Sequence, residues 1–249
     1  MRLSVFGDSL AKKGATLNED AYYPKKIEKA ESSFSIALCD GASGAIFSGQ
    51  WAQAMAREAA TEWAKICKEE FDPQKLTEKV RKLGARFQPL SEESHFFARH
   101  KFAQVGSQST LLLVSVEPSA PNGWTVWAVA LGDSCLVKID TQEKRVIDSF
   151  PFRRSEEFSQ NPRLISNRPE NSLPFEHTRW RLEQSEILLM ASDALAKWIL
   201  EMDEHGRSRN VLEDMLPSLL NPARFREFIF AQRENKRCPL WNDDVSLLA

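Results

Sequence analysis

Acidic residues recur in this chain at the ends of apolar runs. Ser35-Ile36-Ala37-Leu38-Cys39 leads into Asp40-Gly41-Ala42-Ser43-Gly44, Trp124 to Leu131 leads into Gly132-Asp133-Ser134, and Glu186 to Ala191 leads into Ser192-Asp193. Two further pairs, Glu19-Asp20 and Asp243-Asp244, stand where such runs begin. Alternate residues of a strand share a face, so an acid at its last position is presented where the backbone opens. Gly41 and Gly44 lack a Cβ and leave room for an ion or phosphate to approach the main chain. Carboxylates from strand ends are the oxygen donors that a hard cation such as Mg²⁺ or Mn²⁺ takes while keeping several waters. Two such ions activate water at neutral pH and neutralise charge on a phosphoryl group. Each acid also has an ordinary reading: Asp-Gly is a turn signal, Glu19-Asp20 a solvated loop pair, and Asp193 a helix N-cap.

The elements that must position these acids are legible in the periodicity. Leu3 to Phe6 reads as a short strand, Ser9 to Asn18 as a polar connection, and Ser33 to Asp40 as a strand. Pairing of Asn18 to Tyr23 with that last strand brings Glu19 close to Asp40. In an extended segment Glu19 and Asp20 point to opposite faces, so one reaches an ion and the other stands behind it. From Ser48 the spacing turns helical, and Trp51, Ala52, Met55, Ala59, Trp63, Ile66 and Cys67 make the core-facing stripe of a long amphipathic helix. Asp72-Pro73 starts a second helix that runs to Pro89 and lies antiparallel to the first. His95 and His100 fall in a polar segment with no carboxylate or cysteine at ligand spacing. Leu111 to Val116, Trp124 to Leu131 and Cys135 to Asp140 read as strands, and Phe150 to Pro174 as an irregular surface excursion. A strand over Glu186 to Ala191 precedes a helix over Ala194 to Met202. Helices over Val211 to Leu220 and Ala223 to Arg237 follow, and a strand from Val245 closes the pattern.

Composition narrows the classes. A chain of 249 residues, 42% hydrophobic, can bury a sizeable core, and we expect one domain over 1–249. Charged residues make up 27% but nearly balance at a net −2, which argues against a nucleic-acid or anionic-membrane surface. Cys39, Cys67, Cys135 and Cys238 are scattered and form no CxxC pair, the usage of reduced thiols in the cytoplasm. No run approaches the roughly 18 apolar residues of a membrane span.

Taken in order, Asn18-Glu19-Asp20, Asp40-Gly41 with Gly44, Gly106 to Thr110, Gly132-Asp133-Ser134, Ala191-Ser192-Asp193 and Asp243-Asp244 resemble the metal-dependent protein phosphatases, the type 2C serine/threonine phosphatases, over nearly the whole chain. The resemblance implies an α+β fold: a four-layer αββα sandwich of two antiparallel β-sheets flanked by antiparallel helices. It also implies two Mn²⁺ or Mg²⁺ ions and a bridging water that attacks phosphoserine or phosphothreonine in a protein substrate. By this resemblance Asp40 bridges the ions, Glu19 and the Gly41 carbonyl serve one, Asp193 and Asp243 serve the other, and Asp133 takes a weaker third. Asp20 and Asp244 stand behind them.

Departures from the family pattern bear on efficiency. The family's phosphate-gripping Arg corresponds to a position near Ala15, and Lys12 or Lys13 is the substitute, a point charge in place of a bidentate fork. Ala42 stands where eukaryotic members carry a His, Ala194 where Gly is usual, and Asp244 where Asn is usual. Two other activities compete with protein dephosphorylation: a scaffold that binds a phosphoprotein without turnover, and hydrolysis of a small phosphate ester.

Overall fold

The computed structural model describes residues 1–249 except 1, 2, 6, 16, 25, 26, 31, 69, 70, 90–95, 121, 122, 219 and 220. His95 lies outside the described residues. Ten strands make the two main sheets: β1 (Gly7–Leu10), β2 (Ala21–Tyr23), β3 (Phe34–Cys39), β4 (Leu111–Ser119), β5 (Gly123–Leu131), β6 (Cys135–Asp140), β7 (Arg145–Phe150), β8 (Glu176–Leu182), β9 (Glu186–Ala191) and β10 (Val245–Leu248). One sheet runs β8-β5-β4-β3-β2 and the other β7-β6-β9-β10-β1, with every neighbouring pair antiparallel.

The period-two pattern builds the layers. In β3, Ile36 and Leu38 face the other sheet and join a core with Val114, Ala128, Leu136, Met190 and Leu248. Ala37 and Cys39, on the opposite face, pack with Trp51, Met55, Trp63, Leu76 and Val80 from the helices α1 (Ser48–Glu58) and α2 (Pro73–Arg86) and the turns between them. Small side chains at Ala37, Cys39, Ala52, Ala56 and Ala59 let α1 approach the sheet closely. A third helix, α3 (Phe96–Val105), precedes β4. On the far side Val137, Ile139 and Leu189 bury themselves against Leu195, Trp198 and Ile199 of α4 (Asp193–Glu204) and Phe225 and Ile229 of α5 (Pro222–Arg233). Three apolar layers thus separate helix, sheet, sheet and helix, the expected αββα sandwich. Among the described residues no helix is long and apolar enough to cross a membrane.

Local signals set the helix ends. Asp72 caps α2 by accepting from Gln74 N at 2.9 Å and Lys75 N at 3.1 Å, and Pro73 fills the first turn, where its missing N–H costs nothing. The long helix expected from Ser48 is continuous but changes pitch, passing through a π turn at Ala59–Trp63 and a 3₁₀ turn at Ala64–Cys67.

Four expectations need revision. The polar connection begins after Leu10 and not at Ser9, because β1 pairs with β10 from the other end of the sequence. Periodicity does not announce β7 and β8, edge strands whose exposed and half-buried positions alternate. The polar segment at His100 is helical, as α3. The excursion over 150–174 is anchored: Ile165–Ser166 pairs with Gln108–Ser109, Trp51 Nε1 donates to the Ile165 carbonyl at 3.0 Å, and Ser107 N donates to Asn167 Oδ1 at 2.9 Å.

Candidate active site

Strand register places the acids along one edge of the sandwich. β3 ends at Cys39 opposite Ala21 of β2, so Asp40 and Glu19-Asp20 are neighbours. The Gly132–Ser134 turn joins β5 to β6, and Ala191 of β9 lies between Cys135 of β6 and Leu247 of β10. Asp133, Asp193 and Asp243-Asp244 therefore emerge beside one another, facing the Asp40 corner across the two sheets.

The Asp40 corner is held by main chain. Asp40 N donates to Thr110 Oγ1 at 3.0 Å, Thr110 N donates to the Asp40 carbonyl at 2.8 Å, and Gly41 N donates to the Glu19 carbonyl at 3.2 Å. Thr110 Oγ1 in turn shares a hydrogen bond with Ser134 Oγ at 3.0 Å, tying Asp40 to the Asp133 turn. A Cβ on Gly41 would meet the Glu19 carbonyl oxygen and the Ser48 carbonyl carbon, each at 2.8 Å, so only glycine permits this approach.

The opposing corner is held by side chains. Asp193 Oδ1 accepts from Ala194 N at 2.5 Å at the start of α4. Asp244 accepts from Lys12 N at 2.8 Å and from Glu19 N at 2.5 Å, clasping the loop that carries Glu19. Asp243 Oδ1 accepts from Asp244 N at 2.9 Å. Ser246 N donates to Ser192 Oγ at 2.9 Å, and Ser246 Oγ reaches Ser9 Oγ at 2.7 Å.

The two lysines diverge. Lys12 Nζ donates to Ser43 Oγ at 2.8 Å and stands 3.8 Å from Glu19 Oε2 and 3.7 Å from Asp243 Oδ1. Lys13 turns outward, where its ammonium lies 3.5 Å from Glu234 Oε1. Sequence reasoning missed two participants, Ser43 and Arg233. Ser43 Oγ donates to Glu19 Oε2 at 2.7 Å. From α5, Arg233 Nη2 donates to the Asp243 carbonyl at 2.5 Å and Nη1 to the Ala11 carbonyl at 3.4 Å, joining the Asp243 and Lys12 loops. No local signal marks Arg233, one of several arginines on a surface helix.

The electrostatics are those of crowded carboxyls. Burial first, then the charges of Asp20, Asp193, Asp133 and Asp243, push the Asp40 carboxyl well above its ordinary range. Burial and Asp193 raise Asp133 to about 7, and burial and Asp243 raise Asp193 to about 6, offset in part by the Ala194 N–H and Lys12. Asp20 rises to about 7 by burial, with Asp193 and Asp244 adding to it. The hydroxyls of Ser246 and Ser192 oppose that rise without reaching hydrogen-bond geometry. Asp40 and Asp193 keep some accessible surface, yet the protein packed around them dehydrates both. Both carboxyl oxygens of Asp20 and Oδ1 of Asp133 are buried without a hydrogen-bond partner. Bare, buried, mutually repelling oxygens are the donor chemistry a divalent cation satisfies, so the residues suit such an ion. They are not drawn together around one: among the described residues no three His, Cys, Asp or Glu side chains are grouped closely enough to hold a metal. A cavity of about 890 Å³, lined by Asp8, Lys12, Asn18, Glu19, Asp20 and Ser48 among others, opens beside the Glu19 side of the cluster.

No family model and no curated protein sequence matches the chain. Solved structures do. The Mycobacterium tuberculosis serine/threonine phosphatase PstP/Ppp superposes with a TM-score of 0.57 at 15% identity, over 99% of this chain and 97% of that one. This is the fold of the PPM phosphatases. The PPM Ser-Thr phosphatase MsPP from Mycobacterium smegmatis, solved with cacodylate, gives 0.55 at 15% over 99% and 97%. Staphylococcus aureus Stp1 gives 0.56 at 13% over 98% and 92%. The PPM fold thus accounts for nearly all of the chain, at identities where only the backbone arrangement carries over.

Proposed function

We propose that this protein is a metal-dependent phosphatase of phosphoserine and phosphothreonine in proteins, with 1–249 forming one phosphatase domain. The observation that carries this reading is the convergence of Glu19, Asp20, Asp40, Asp133, Asp193 and Asp243-Asp244, from both sheets, on one edge of a PPM sandwich. In this reading Asp40 would serve both of two Mn²⁺ or Mg²⁺ ions, Glu19 and the Gly41 carbonyl would hold one, Asp193 and Asp243 the other, and Asp133 would take a third. When bound, the ions neutralise phosphoryl charge and make water a nucleophile at neutral pH.

The chain's own groups do the rest. Asp244 and Arg233 fix the loops that carry Glu19, Lys12 and Asp243, so the acids meet a substrate with little reorganisation. Lys12 supplies the ammonium for the phosphate oxygens, and Asp20 backs the ion-facing acids. Lys13, the other substitute for the family's arginine, turns to Glu234 on the outer side of the same loop and leaves the phosphate to Lys12. Ala42 has no proton to give, so the leaving alkoxide takes one from water.

The test is Mn²⁺- or Mg²⁺-dependent phosphate release from phosphothreonine peptides by wild type, Asp40→Asn and Asp193→Asn. Metal-dependent release by wild type that both substitutions abolish is the expected result. Release from small phosphate esters but not from peptides would redirect the reading to a metabolite hydrolase. Silence across a broad peptide panel despite ion binding would leave a phosphoprotein-binding scaffold.

A further inference from the structure

Lys12 sets an ammonium inside the acid cluster. Its Nζ bonds Ser43 Oγ at 2.8 Å and stands 3.8 Å from Glu19 Oε2 and 3.7 Å from Asp243 Oδ1, while Ser43 Oγ bonds Glu19 Oε2 at 2.7 Å. The Lys12 and Glu19 side chains are 30% and 25% exposed and that of Asp243 47%, so water screens the Glu19 contact in part and the Asp243 contact more strongly. Its backbone is fixed as well, with Lys12 N on Asp244 Oδ1 and Ala15 N donating to the Lys12 carbonyl at 3.1 Å. Its charge also reaches Asp193. One ammonium therefore touches Glu19, beside the first sheet, and Asp243, at the start of β10 in the second. On the proposed reading these two acids serve different ions. The neighbouring cations do not share the role, since Lys13 pairs with Glu234 and Arg233 spends two nitrogens on backbone carbonyls.

We infer that Lys12 is the resident cation of the metal-free protein: it holds Glu19 and Asp243 across the two sheets and is displaced when divalent ions load, which frees its ammonium toward a phosphate. This rests on the dinuclear reading above. An ammonium is a compact point charge with three donors and can bind a carboxylate pair, but it cannot share the same oxygens with a dication at coordination distance. Loading an ion thus breaks the lysine's contacts, and ion affinity is lower by that amount. By linkage, whatever draws the ammonium away strengthens ion binding to the same degree.

The experiment is calorimetric titration of Mn²⁺ into the metal-free full chain, with thermal unfolding of the same samples in chelator, for the parent, Lys12→Met and Lys12→Arg. Methionine keeps the stem and removes the charge. We expect Lys12→Met to bind its first Mn²⁺ roughly tenfold tighter, from the loss of two partly screened pairs. Its metal-free form should melt roughly 2–4 °C lower. Lys12→Arg, which keeps the charge, should follow the parent in both. Both shifts are required: a parent that binds Mn²⁺ with the same affinity as Lys12→Met, or an unchanged melting temperature, overturns the inference and leaves the dinuclear reading standing. Binding by Lys12→Met alone supports the inference in its strongest form, a lysine that has taken an ion's place, and removes the parent's metal-dependent activity. Binding by neither overturns both.

Discussion

Asp40, at the end of β3, is positioned by main chain, whereas Asp193, Asp243 and Asp244, around β9 and β10, are positioned through their own carboxylates. At the first corner Thr110 and Glu19 hold the backbone, and among the described residues no hydrogen bond engages the Asp40 carboxylate. At the second, Asp193 accepts from the adjacent Ala194 N in the first turn of α4, Asp243 accepts from Asp244 N, and Asp244 clasps two amides. Substituting an acid of the second corner therefore disturbs structure and chemistry together. Asp40 can be changed with the frame intact, which makes it the cleaner probe of reactivity.

Four substitutions test that contrast. Asp244→Ala leaves the amides of Lys12 and Glu19 without their charged acceptor and should cost about 3–5 kcal/mol in denaturant unfolding. A loss no larger than that of an ordinary surface change would show that the clasp is replaceable by water. Gly41→Ala drives a Cβ into backbone on two sides and should cost about 1–3 kcal/mol, with loss of phosphate release. Retained stability there would mean the Asp40 corner yields more than its contacts suggest.

Asp40→Asn should act in the opposite sense in the metal-free protein. Folding holds protons on Asp40, Asp133, Asp193 and Asp20 to higher pH than in the unfolded chain, where carboxyls titrate near about 3.9. The folded state therefore binds more protons, and stability falls as pH rises from that value through about 6 for Asp193 and about 7 for Asp133 and Asp20. An amide mimics the protonated carboxyl, so melting should be unchanged near pH 4 and raised at pH 8. A parallel drop at both values would break the argument. The smallest effect belongs to Ala194→Gly, which restores the residue usual in the family: about 0.5–1 kcal/mol of helix stability lost, with phosphate release within a few-fold of wild type.

Much of the scaffold was legible because it follows from local period. Ile36 and Leu38 against Ala37 and Cys39 specify a strand buried on both faces, and the Trp51–Met55–Trp63 stripe specifies the helix that covers it. The edge strands β7 and β8 were not, since half-solvated edges carry little apolar pattern, and β1 was missed, its Ser9 and Leu10 reading as the start of a polar connection, because its partner lies 237 residues away at Ser246. The acids were legible as strand-end positions, each visible beside its own apolar run.

By itself the sequence determined which residues end strands and turn the chain, since φ/ψ preference and side-chain alternation act over a few neighbours. Tertiary structure alone decided how these positions face one another: Lys12 lies between Glu19 and Asp243, Lys13 turns away beside it, and Arg233 reaches the Asp243 carbonyl from another element. Which ammonium meets which carboxylate depends on the packing of two sheets and three loops, and no local preference encodes a distance across that gap.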